Sequence, residues 1–125
     1  MTTEIEVPVA PPAVRRETKL SDLLLKTKAL IDRPWKWCKH RLACKGLDCD
    51  EHCLEHAILL ATGDDGDAHS RVYNALDAEL PDNRRGQGLW LYNDLGTTTH
   101  ADIVALFDRA VEKAQAREMW AELQG

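Results

Sequence analysis

Apolar side chains recur at steps of three and four residues in four stretches of this sequence, and this spacing limits the fold more than any other feature. Residues spaced in this way lie on one face of an α-helix. The clearest stretch begins near Thr99, and its apolar residues are Ile103, Val104, Phe107, Ala110, Val111 and Ala114. Three earlier stretches, at about residues 19–32, 50–62 and 68–80, have the same period. We therefore predict an all-α fold with about four helices.

Residues at the ends of these stretches support the helix boundaries. Pro34 and Pro81 follow the first and third stretches, and the residue before a proline disfavours helical backbone. Gly63 follows the second stretch, where a C-terminal residue with positive φ is favoured. Thr99 and Asp102 approximate a capping box at the start of the last helix, with Asp in the usual position of Glu.

The remaining segments lack a helical period. Residues 1–17 contain three prolines among mixed residues and are predicted to form a flexible tail. Residues 18–125 are predicted to form a single domain, because a chain of 125 residues has no room for a second core of useful size. Residues 89–92 are apolar and short, and we expect an extended connector before the last helix. Residues 35–49 are predicted to form a loop pinned by three apolar side chains, Trp35, Trp37 and Leu42.

The composition also bears on location and on nucleic-acid binding. The sequence has no apolar run long enough to span a membrane and no secretory signal, which favours a cytoplasmic protein. Its net charge of -5 argues against a protein that binds the phosphate backbone by charge alone. A weak nucleic-acid-binding module at residues 35–45 stays an alternative, because basic residues alternate there with Trp35 and Trp37. The basic residues are Lys36, Lys39, Arg41 and Lys45.

Several motifs resemble a family of small bacterial and phage proteins classed as a domain of unknown function. The resemblance covers roughly residues 20–115. Its motifs are Trp37-Cys38, Cys53-Leu54 followed by Ala57-Ile58, the run Trp-Leu-Tyr-Asn-Asp at residues 90–94, Gly96-Thr97, and residues 101–110. The resemblance implies a compact helical domain and a phage or mobile-element context, and it implies no catalytic residue. The chain departs from the family pattern in having Cys44 and Cys49 between the two matching cysteines.

Four cysteines lie within sixteen residues and form a candidate metal site. They are Cys38, Cys44, Cys49 and Cys53. Four thiolates suit tetrahedral zinc, and His56 is the best substitute ligand because it lies three residues after Cys53 on the same predicted helix. The spacings contain no Cys-x-x-Cys pair, which weakens the zinc signal. Free thiols or disulfides remain open alternatives.

A small cysteine-dependent enzyme is a further alternative. Cys53 is predicted near the N-terminus of a helix, where the helix dipole favours a thiolate. His52 or His56 would then serve as the base. An orienting third group is required, and only sequence proximity points to Asp50 or Glu55.

The last helix carries a second apolar face if it continues without a bend to about residue 123. At 100° per residue, this face points roughly 170° away from the core stripe centred near Phe107. Its residues are Ala116, Met119, Trp120 and Leu123. A bend after Ala114 that returns these side chains to the core is the alternative. With the continuous helix, we expect a non-enzymatic accessory protein that binds another protein or itself, with the four cysteines as a candidate structural zinc site.

Overall fold

A computed structural model of the chain describes residues 18–39 and 51–124, and in these two ranges it contains five α-helices and no β-strand. The helices are α1 (Leu20–Ala29), α2 (Leu54–Thr62), α3 (Gly66–Asp77), α4 (Leu89–Asp94) and α5 (His100–Gln124). Short 3-10 turns occupy Pro34–Lys36 and Asp82–Arg84. The all-α prediction is confirmed. The predicted flexible tail, residues 1–17, lies outside the described residues.

The hydrophobic core lies where α5 packs along α1 and α3, with α2 and α4 closing the remaining sides. Four residues of the stripe predicted from the sequence are buried in α5: Ile103, Phe107, Ala110 and Ala114, with Phe107 fully inaccessible to solvent. Val104 and Val111 are only partly buried, and Leu106, which the prediction omitted, is fully buried. Leu23, Leu24, Ile58 and Val72 meet this stripe from the other helices. Burying a large apolar side chain contributes about 1.5–3 kcal/mol, so this shared core accounts for most of the cohesion between the helices.

Capping contacts fix the first turns of three helices. Thr99 and Asp102 form the predicted reciprocal box: the Thr99 backbone N–H donates to the Asp102 carboxylate at 2.9 Å, and the Asp102 N–H donates to the Thr99 hydroxyl at 3.1 Å. Asp65 accepts from the Ala68 N–H at the start of α3. At α1 the cap comes from another helix, because Glu118 of α5 accepts from the Ser21 backbone N–H and hydroxyl.

The extended connector predicted at residues 89–92 is wrong, because this segment belongs to α4. Leu89 and Asn93, four residues apart, are both fully buried on one helix face. Gly88 has a φ of 109°, which turns the chain into the helix, and the Leu89 N–H donates to the Tyr73 hydroxyl. The sequence is ambiguous here because four consecutive apolar residues fit a short buried helix as well as an extended segment.

Two smaller expectations also differ from the structure. Helix α2 begins at Leu54, because Glu51–Cys53 stay extended, and Cys53 is therefore the N-cap residue rather than part of the first turn. Trp35 does not pin its loop, since 68% of its surface is exposed. Within the described ranges, no helix combines the length and the apolar character needed to cross a bilayer.

Candidate functional site

The residues on either side of segment 40–50 are joined by a short parallel β-bridge between Trp37 and His52. The His52 N–H donates to the Lys36 carbonyl at 2.7 Å, and the Cys38 N–H donates to the His52 carbonyl at 3.1 Å. The bridge therefore fixes the positions at which the chain leaves and re-enters the described structure. Segment 40–50 itself, which contains Cys44 and Cys49, lies outside the described residues.

Asn93, at the end of α4, holds this bridge against the core. Its amide is fully buried, and its Oδ1 accepts from the Trp37 indole N–H at 2.6 Å and from the Leu54 N–H at 3.3 Å. Its Nδ2 donates to the carbonyls of Cys38 and Lys39, each at 3.0 Å. An indole nitrogen and a backbone nitrogen are donors only, so the partners themselves fix the orientation of the amide.

Cys38 and Cys53 lie together on the bridge as buried free thiols, with 8% and 4% of their surface exposed. Burial raises the pKa of the Cys38 thiol from an ordinary value of 9.0 to about 11, and the negative charges of Cys53, Glu51 and Asp94 add to this shift. A thiol with a raised pKa is a poor nucleophile at neutral pH. Cys38 is therefore suited to packing, or to binding a metal that displaces its proton.

His52 and His56 face each other across the start of α2. Their Nδ1 atoms are 3.2 Å apart, and the two rings meet edge to face with centroids 5.0 Å apart. His52 is nearly buried and lines a cleft of about 320 Å³ next to the 3-10 turn. Residues Ala29, Leu30, Trp35 and Lys36 form the rest of this cleft.

The structure brings together half of the four cysteines predicted to bind zinc. Cys38 and Cys53 are neighbours, whereas Cys44 and Cys49 lie outside the described residues. Among residues 18–39 and 51–124, no group of three or more Cys, His, Asp or Glu side chains is arranged to hold a metal ion. The four-cysteine site thus stays a prediction.

Two lysines of the predicted basic stretch contact other parts of the domain. Lys36 lies 3.6 Å from the Asp32 carboxylate, and Lys39 donates to the Leu95 carbonyl. Arg41 and Lys45 lie outside the described residues. The two lysines are therefore bonded within the domain.

A family comparison matches residues 15–113 to a family described as a family of unknown function (DUF6197). The chain belongs to this family. The resemblance inferred from the sequence motifs is thereby confirmed. Comparisons with curated proteins and with solved structures gave no significant match. The bridge, Asn93 and both histidines all lie inside the matched DUF6197 region.

The end of α5 lies beyond that region and is largely exposed. The helix continues without interruption from His100 to Gln124, as the continuous alternative predicted. After Ala114, the last buried residue of α5, three large apolar side chains reach solvent: Met119, Trp120 and Leu123, with exposed fractions of 63%, 64% and 74%. We call these three residues the C-terminal face. Another side of this helix end lies beside the start of α1, where Lys19 pairs with Glu122 at 3.4 Å.

Sequence reasoning missed the role of Asn93 in the DUF6197 domain. The available signal was its place inside the best family motif, directly after three apolar residues. A polar residue that follows an apolar run is usually exposed, so its burial is visible only when α4 is known to be helical.

We expect Asn93→Ala to lower the free energy of unfolding by about 2–4 kcal/mol, because it leaves buried donors and acceptors without partners. Hydrogen exchange should also accelerate at the His52 and Leu54 amides. Chemical denaturation and exchange measured by NMR test both effects. Asn74→Ala, at an exposed position of α3, is the control and should change stability by less than about 0.5 kcal/mol. Equal effects of the two substitutions would contradict the assigned role.

The raised pKa of Cys38 predicts a loss of stability at alkaline pH. The unfolded chain releases the thiol proton near pH 9.0, whereas the folded chain retains it up to about pH 11. The stabilising contribution is therefore complete below pH 9 and disappears as the pH rises through 11. We expect the free energy of unfolding, measured with reductant and chelator present, to fall more steeply over this pH range for the native chain than for Cys38→Ala. The same pH dependence in both chains would show that Cys38 does not cause the loss of stability.

Proposed function

We propose that this DUF6197 protein is a non-enzymatic accessory protein that binds another protein through the C-terminal face. One observation carries the proposal: a continuous helix presents Met119, Trp120 and Leu123 to solvent on the side opposite the core. Large apolar side chains grouped at one exposed place are typical of interaction sites. Tryptophan is also among the residues that most often dominate binding energy.

The spacing of these side chains indicates the kind of partner. Residues 116, 119, 120 and 123 follow the i, i+3, i+4, i+7 pattern of helices that insert into an apolar groove. Helix α5 continues for about 15 Å after Ala114, which is long enough to enter such a groove. A second copy would have to supply an apolar groove itself, and the groove beside this end of α5 is lined mainly by polar and charged side chains. We therefore propose a different protein with an apolar groove, rather than a second copy of this chain.

Trp120→Glu should leave folding intact and abolish this binding. Because Trp120 is exposed, we expect the free energy of unfolding to change by less than about 0.5 kcal/mol. Affinity for the purified partner should fall by at least about 2 kcal/mol, or about thirtyfold. Crosslinking in cells from position 123 would identify candidate partners, and calorimetry with each purified candidate measures the affinity.

Trp35→Glu is the matched control, because Trp35 is exposed to the same extent, 68% against 64%, but lies in another part of the domain. It should preserve the affinity. Equal binding by Trp120→Glu and the native chain would overturn the proposal. Sedimentation of the isolated chain gives a further check, since concentration-dependent association lost in Trp120→Glu would identify a second copy as the occupant instead.

We propose a structural zinc site as a second, separate property of the protein. The support is the pair of buried thiols, Cys38 and Cys53, at the two ends of the segment that contains Cys44 and Cys49. Four thiolates would supply the full tetrahedral shell of a structural zinc ion. Such an ion would link segment 40–50 to the start of α2.

Zinc bound in this way would contribute directly to folding, so a chelator should lower the melting temperature. Elemental analysis of untagged protein should find about one zinc per chain. Less than about a tenth of an equivalent, together with no chelator effect, would contradict the site. Zinc that stays bound through purification after Cys44→Ser and Cys49→Ser together, and that also withstands His56→Gln, would show that other residues are the ligands of this site.

The biological setting is also part of the proposal. The family resemblance favours a phage or mobile-element context, and the sequence favours the cytoplasm of a bacterial or phage-infected cell. A Cys53-dependent enzyme receives less support, because 4% exposure of Cys53 leaves little access for a substrate. The nucleic-acid alternative is also weaker, because Lys36 and Lys39 are bonded within the domain.

A further inference from the structure

We propose that His52 and His56 together bind one divalent transition-metal ion through their Nδ1 atoms, at a site separate from the cysteines. Imidazole nitrogen binds zinc at about 2.0–2.1 Å. Two such bonds at the tetrahedral angle place the nitrogens about 3.3 Å apart. The observed Nδ1–Nδ1 distance is 3.2 Å, so both rings already have the separation that a shared ion requires.

The backbone holds the two rings in place before any ion binds. His52 is fixed on both sides by the β-bridge, through bonds to Lys36 and Cys38. His56 lies in the first turn of α2, where the Ala57 N–H already donates to the Cys53 carbonyl at 2.9 Å. Preorganised ligands reduce the entropy lost on binding. The pair is therefore better placed for an ion than two histidines on mobile segments would be.

The imidazoles and thiols lie on different sides of the bridge. Successive residues of extended backbone project to opposite faces, so His52 and Cys53 leave the bridge in opposite directions. Cys53 is instead close to Cys38, whose pKa it raises. The His52 side borders the cleft of about 320 Å³, which gives an ion a route from solvent. The Lys36 ammonium in this cleft lies 3.6 Å from the Asp32 carboxylate, which offsets its charge.

Binding requires both Nδ1 atoms to present a lone pair to the ion. At the observed distance of 3.2 Å, one Nδ1 carries a proton that it donates to the other. When the ion binds, this proton leaves the Nδ1 atom, either for Nε2 of the same ring or for solvent. Two protein ligands leave positions for water, so we expect weaker binding than at a structural site with four protein ligands.

Zinc titration of a chain without the central cysteines tests this proposal. Cys44→Ser and Cys49→Ser together remove half of the proposed thiolate site and leave both histidines in place. Calorimetry of this untagged, chelator-treated background near pH 7.5 should show one zinc site. Adding His56→Gln should weaken the binding at least about tenfold.

His69→Gln is the matched control, because His69 lies on α3 and stacks on Tyr73, away from the bridge. It should leave zinc affinity unchanged. NMR of the native chain adds a measurement that needs no variant: zinc should shift the Nδ1 resonances of both His52 and His56. An absence of zinc binding by the background, equal affinity after His56→Gln, or unshifted Nδ1 resonances would overturn the pair as a site. None of these results bears on binding at the C-terminal face, which Trp120→Glu tests separately.

Discussion

The buried amide of Asn93 joins three segments that are far apart in the sequence. It receives donors from Trp37 and Leu54 and donates to carbonyls just before segment 40–50. Unpaired buried amides are costly, so these bonds together select one position for α4, for the start of α2 and for the bridge. The thiol pair and the imidazole pair depend on that same position. The positions of the thiols and of the imidazoles thus both depend on Asn93, a polar side chain in an otherwise apolar core.

The bridge also explains how one short region separates two kinds of chemistry. Its extended backbone alternates side chains, so Cys38 and Cys53 project to one face, and His52, which lines the cleft, projects to the other. Desolvation raises the pKa of Cys38 and disfavours its thiolate, whereas His52 lines the cleft. Any metal at the thiols must displace a proton from a thiol with a raised pKa, whereas a metal at the imidazoles would bind through nitrogen lone pairs. The two proposed sites therefore differ in the chemistry of their ligands.

Sequence periodicity predicted the helices that have one buried stripe and clear terminal residues. In α5, the spacing around Phe107 and the box of Thr99 and Asp102 were both found as expected. It failed for α4, which has fewer than two full turns and too few residues to display a period. It also placed the start of α2 too early, because the pairing of His52 with Trp37 is a long-range contact that overrides local helix preference. At the candidate site, residue types alone were enough to single out the cysteines and histidines. That the two imidazoles face each other could be seen only from the folded structure.

The family match and the hydrophobic core end at almost the same place. The DUF6197 region stops at residue 113, and Ala114 is the last buried residue of α5. The bridge, Asn93 and the histidine pair lie inside that region, whereas Met119, Trp120 and Leu123 lie beyond it. The proposed metal site of the histidine pair therefore lies within the matched domain. The proposed binding through the C-terminal face would instead depend on the part of α5 that continues past both the core and the matched region.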